Sequence, residues 1–113
     1  MANSACLMAA FMLIVLQRSS DEIWAAFVDY HKEFTFFRDA SGGECTYKLN
    51  ILDCLKGLEK AIELGWYDFK TFDVQEYEYY SKLDNGDLNW VIPEKICALM
   101  GPCDSNYDSE GLR

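Results

Sequence analysis

Residues 72–90, FDVQEYEYYSKLDNGDLNW, divide the chain into what can pack and what cannot. Asp73 is placed to cap a helix, and Glu76, three residues on, stands where a capping-box carboxylate belongs. Asn85-Gly86 is expected to end that helix, because both residues tolerate the left-handed backbone of a C-terminal cap. Leu88, Trp90, Val91 and Ile92 then supply apolar, β-favouring side chains before Pro93. Such a passage from acidic helix through Asn-Gly to strand reads as a junction between folding units. The chain before it is long enough to pack as one unit. The chain after it is too short to pack as another.

The remaining composition narrows the classes. The chain has 113 residues, enough for one small domain. Half of them are hydrophobic and 15% aromatic, which excludes disorder throughout. A formal charge of −9 argues against nucleic acid and favours basic partners or plain solubility. Cysteines at 6, 45, 54, 97 and 103 form no C-x-x-C pair and are odd in number. They suit neither a disulfide framework nor a zinc site, and point to a reducing compartment. His31 is the single histidine and has no second ligand at metal spacing. No metal or cofactor is expected.

Upstream, three helices are expected. Ala5–Leu16 is a twelve-residue apolar run, short of the roughly twenty needed to span a bilayer. No Lys or Arg precedes it to form the charged start of a signal peptide, so a buried helix is the favoured reading. Ser19 with Glu22 forms an S-x-x-E box for the next helix, whose Ile23, Trp24, Phe27 and Tyr30 make a core-facing stripe. Gly42-Gly43 punctuates a loop, with Arg38-Asp39 as a structural ion pair. The third helix is expected from Cys45 or Thr46 to Leu64, with Ile51, Leu52, Leu55, Leu58 and Ile62 inward and Gly65 just past its end. Cys54 lies beside that stripe as a small hydrophobe.

These motifs resemble a known family. FRDAS at 37–41, CTY and LDCL within 45–55, FDVQEYEYY at 72–80 and NGDLNWVIP at 85–93 are similar to the N-terminal, phosphatase-like domain of the cell division cycle fourteen dual-specificity phosphatases. The resemblance extends over roughly residues 3–102. It implies tandem phosphatase-like domains, the first non-catalytic and shaping a substrate groove, the second carrying the nucleophile, with a role in the cell cycle and mitotic exit. On that comparison residues 1–71 are the C-terminal half of the first domain, and 72–86 the acidic interdomain linker helix. Residues 87–103 are the first strand region of a catalytic domain missing here, and 104–113 a disordered tail. The fold class implied is mostly α in this piece, a partial α/β dual-specificity-phosphatase-like domain followed by a linker helix and one strand.

A cysteine phosphatase needs an arginine six residues after its nucleophile, to hold the phosphate oxygens. Six residues after the five cysteines stand Met12, Ile51, Lys60, Cys103 and Ser109, so C-x5-R is absent and this chain alone is not expected to be an enzyme. The family's linker carboxylates favour a basic residue after phosphoserine-proline, which implies substrate-binding roles for Glu78 and Glu76. Where a second groove carboxylate belongs, one turn after Glu78, this chain has Ser81. Expected partners are phosphoproteins with basic residues and a catalytic phosphatase domain, with neither nucleic acid nor membrane, in the nucleus or cytoplasm. The competing reading is an independent helical adaptor or pseudophosphatase that binds basic partners. A secreted helical protein is a third.

Overall fold

A computed structural model describes residues 2–38 and 43–101, arranged as two compact units, Met1–Tyr67 and Asp68–Arg113. Asp39, Gly42 and the 104–113 tail lie outside the described residues, and with them the Arg38–Asp39 pair.

Three helices build the first unit: α1 (Ala2–Ile14), α2 (Ser20–Ala26) and α3 (Ile51–Glu63). Polar caps settle where α2 and α3 begin, by satisfying the free backbone groups of a helix end. For α2 the capping box is complete. The Ser19 amide donates to Glu22 Oε2 at 3.1 Å, and the Glu22 amide donates back to Ser19 Oγ at 3.3 Å. After Ala26 the chain tightens into a 3-10 segment, Val28–Glu33. That change of pitch breaks the expected stripe: Ile23 is buried and Trp24 and Phe27 half-buried, but Tyr30 turns out to solvent.

α3 begins later than the sequence suggested. Its N-cap is Asn50, which accepts the Asp53 amide at 2.8 Å while the Asn50 amide donates to Asp53 Oδ2 at 3.1 Å. Residues 44–48 carry no helix, and Leu49 bridges to Phe37 in antiparallel fashion. A full capping box outweighs a weak helical tendency in Cys45, Thr46 and Tyr47, which suit extended backbone better. At the other end Gly65 adopts φ +69°, the Gly65 amide donates to the Ile62 carbonyl and the Trp66 amide to the Ala61 carbonyl. That is a Schellman cap, with glycine at the position the sequence indicated.

The core is small. Ala5, Ala9 and Leu13 of α1 meet Ile23 of α2 and Ile51 and Leu55 of α3, with Cys6, Met12, Trp24, Phe34 and Leu58 packed at the margin. A polar latch adds to it. Glu59 on α3 accepts the Ser20 hydroxyl at 2.6 Å and the Ser20 amide at 3.0 Å, so a carboxylate sits on the first turn of α2. Negative charge is favoured there by the free amides and the helix dipole. These two hydrogen bonds hold Glu59 below the usual carboxylate range. Lys56 also approaches Asp21, at 3.6 Å, in an exposed pair worth little. The His31 ring stacks on Trp24 of α2 at 3.7 Å, and its Nε2 lies 2.8 Å from the Trp24 carbonyl. His31 is thus engaged in packing.

The second unit holds α4 (Val74–Tyr80) and an antiparallel hairpin, β1 (Asn89–Ile92) with β2 (Ile96–Ala98). The fold is accordingly mostly helical with one small sheet, in line with the expected class.

Candidate functional site

The acidic segment is the part of the chain with a functional expectation attached, and its geometry follows from its caps. Asp73 is the N-cap and its carboxylate accepts the Glu76 amide at 2.9 Å. Helix α4 then runs only to Tyr80. The helix expected over 72–86 is in fact two pieces, since a 3-10 turn, Leu83–Asn85, follows before Gly86. Ser81 and Asn85 explain the stop. The Ser81 hydroxyl donates to the Glu78 carbonyl at 3.3 Å, and Asn85 Nδ2 donates to the Tyr79 carbonyl at 2.8 Å. Both cap carbonyls that a longer helix would have used itself. Gly86 closes the 3-10 turn at φ +107°, so Asn85-Gly86 ends that turn instead of the α-helix. The Leu88 amide, returning to the Tyr80 carbonyl at 2.8 Å, sends the chain into β1.

Every residue of α4 is exposed. Glu76 and Glu78 therefore both reach solvent, yet they do not share a face. Two residues along a helix is a rotation of about 200°, which sets the two carboxylates on opposite flanks. Position 81 supplies no charge to either flank, because serine is neutral, and its hydroxyl is folded back on the helix. Tyr77, Tyr79 and Tyr80 interleave with the two carboxylates along the sequence. Phe72 lies 5.6 Å from Tyr77, and Tyr79 meets Tyr80 edge-on at 5.0 Å, with Tyr77 and Tyr79 about half exposed. Such rings offer faces to a cation beside the acids.

The hairpin beyond β1 turns through Pro93-Glu94, where the Lys95 amide donates to the Ile92 carbonyl at 3.0 Å and Glu94 takes φ +60°. Proline first and a positive φ second is a type II pattern, normally completed by glycine. β1 and β2 pair Asn89 with Ala98, Trp90 with Cys97 and Ile92 with Ile96.

No nucleophilic site assembles among the described residues of the first unit. Partial burial, reinforced by Cys6 and Asp53, pushes the Cys54 thiol up, away from the thiolate that catalysis needs. An open hollow of about 390 Å³ between Leu13, Arg18, Glu59 and Ile62 has its carboxylate already committed to Ser20. Among the described residues no group of three or more His, Cys, Asp and Glu side chains is placed to hold a metal, and no helix is long and apolar enough to cross a membrane. Glu59 is the residue that sequence reading missed. Its partner is 39 residues away, and no local pattern signals a contact of that range.

Residues 1–61 match the family model described as dual specificity protein phosphatase, N-terminal half. The chain belongs to that family. Its relatives are the CDC14 phosphatases. It is 46% identical over 102 residues to the human dual specificity protein phosphatase CDC14A and 46% identical to zebrafish (Danio rerio) CDC14AB, each over 89% of this chain. It is also 39% identical over 110 residues to the tyrosine-protein phosphatase cdc-14 of Caenorhabditis elegans, over 96% of this chain. The chain spans only 16–17% of the length of these relatives.

Proposed function

We propose that this chain is a non-catalytic N-terminal part of a dual specificity protein phosphatase, acting on phosphotyrosine and phosphoserine or phosphothreonine proteins in the complete enzyme. On this reading the α1–α3 unit is scaffold, and α4 lends acidic surface to a groove for phosphoserine-proline sites followed by basic residues. A catalytic phosphatase domain with its own C-x5-R loop supplies the chemistry and packs against this part. The observation that carries the reading is Glu78, an exposed residue of α4 within the span shared with the relatives. Glu76 adds negative potential from the opposite flank. A nuclear or cytoplasmic location belongs to the same proposal, on the ground that the five cysteines are odd in number and form no C-x-x-C pair.

A titration followed by amide NMR tests this. One peptide carries phosphoserine-proline and then lysine; a second replaces the lysine with glutamate. Shifts at residues 73–81 are expected with the lysine peptide, weakened several-fold by Glu78→Lys and by added salt. Equal shifts from both peptides, or shifts confined to α1–α3, would sink the proposal. Equal binding of an unphosphorylated basic peptide would favour the independent adaptor.

A further inference from the structure

Helices α1 and α3 pack side by side and run in the same direction. Ala5, Ala9 and Leu13 recur every four residues along α1 and meet Ile51 and Leu55, spaced alike on α3. Toward their C-terminal ends, Leu13 and Ile14 share one hollow with Glu59 and Ile62. Counting back from that shared end, Cys6 precedes Leu13 by seven residues and Cys54 precedes Ile62 by eight, about two helical turns in each case. The two cysteines therefore stand at the same level. They also stand on the same flank. Cys6 follows the buried Ala5 by one residue and Cys54 precedes the buried Leu55 by one, rotations of about 100° in opposite senses. Between parallel helices that face one another, opposite rotations lead to the same side of the contact. Cys6 packs at the core margin, and Cys54 is the more exposed of the two. Partial burial and then the neighbouring Cys6 push the Cys54 thiol up.

We infer that Cys6 and Cys54 form a redox pair, whose disulfide, made by exchange with a small disulfide such as glutathione disulfide, clips α1 to α3. The Cys54 thiolate, the more accessible, attacks glutathione disulfide and releases one glutathione. Cys6 then gives up its proton, attacks Cys54 Sγ and displaces the second glutathione. Two thiols lose two electrons and two protons, and one glutathione disulfide becomes two glutathiones. Ala5 and Ala9 put only methyl groups into the helix contact and let the backbones come close, as a bond spanning about 4.4–6.8 Å between Cα atoms requires. Cys45, the other cysteine of the first unit, is turned to its own segment, where its Sγ donates to the Tyr47 carbonyl at 3.0 Å. Both members of the pair belong to a packed contact within this chain, so the pairing does not depend on what covers the outer faces. A thiolate that is hard to form also leaves slowly, which favours the disulfide once made. The bond closes a loop over the 47 residues between the cysteines and so restrains the unfolded chain. In a reducing compartment the clip is open; an oxidising shift closes it.

Oxidation of the 113-residue chain by glutathione disulfide tests the inference. Trypsin digestion of the oxidised chain should release Met1–Arg18 joined to Leu49–Lys56, a species that dithiothreitol separates. The melting midpoint of the helical signal should rise by about 5 °C or more on oxidation. At a fixed glutathione redox ratio, the effective concentration of the two thiols should be at least tenfold lower in urea than in the folded chain. Cys54→Ser, at an exposed position, and Cys6→Ala should each abolish the joined peptides and the rise in midpoint, with far-UV circular dichroism of the reduced chain unchanged. Cys45→Ser should leave both in place. Glutathione adducts on Cys6 and Cys54 without a link overturn the inference. So does a link that forms equally well in urea, one that runs through Cys45 instead, or an oxidised chain that melts no higher than the reduced one.

Discussion

The two units of this molecule owe their order to different physics. In Met1–Tyr67, side chains from three helices are removed from water, and Ser20 is locked to Glu59 across 39 residues. In Asp68–Arg113 no described residue is buried, and order comes from caps, a 3-10 turn and a two-stranded ladder between near neighbours in sequence. Packing makes a unit stable; local hydrogen bonds fix a shape without hiding it. The proposed scaffold role rests on the first arrangement. The second keeps carboxylates and aromatic rings available.

The largest expected effect lies in the core. Leu55 is 1% exposed, so Leu55→Ala should cost about 3 kcal/mol, read as a lower urea midpoint for loss of helical signal. Amide shifts of α4 and the hairpin should stay where they are; if they collapse together with the core, the two units are not separate in stability.

Next comes the latch. Glu59 titrates below its unfolded value, so its contribution is present above the unfolded pKa of about 4.5 and is lost as pH falls through the lower folded value. Glu59→Gln should remove on the order of 1 kcal/mol at neutral pH, a figure discounted for partial exposure. It should also flatten the acid limb of the stability profile below about pH 4.5. A variant with an unchanged acid limb would show that the carboxylate is not what fixes α2.

Smaller effects belong to the second unit. Gly86→Ala forces a side chain into φ +107° and should cost about 1 kcal/mol of local order, read as faster exchange of the Leu88 amide. Glu94→Gly removes a non-glycine residue from φ +60° and should strengthen the hairpin by somewhat less, seen as slower exchange of the Lys95 amide.

Much of this was legible in the residues, and the misses have physical causes. Ser19 with Glu22, Asp73 as N-cap and Gly65 after α3 act within one turn of themselves, so sequence displays them. Asn50 with Asp53 was equally local, but the apolar spacing of α3 drew its expected start upstream to Cys45. Tyr30 was misplaced because a 3-10 segment changes the period that put it on the core stripe. That α1 needs cover on more than one side was readable from its unbroken apolarity; which of its faces stays exposed was not, since apolarity alone does not say which face finds cover. At the candidate site the exposed carboxylates were readable, whereas the inward turn of Ser81 and Asn85, which shortens α4, depends on side-chain geometry. The Ser20–Glu59 contact depends on tertiary folding, and nothing nearby in sequence announces it.

Amide hydrogen exchange, residue by residue, with and without the phosphoserine-proline-lysine peptide, tests the division of labour most directly. Amides of Ile23 and Leu55 should exchange slowest and ignore the peptide. Those of residues 76–81 should exchange fast alone and slow on its addition. Peptide-induced protection in α1–α3 with none in α4 would contradict the account.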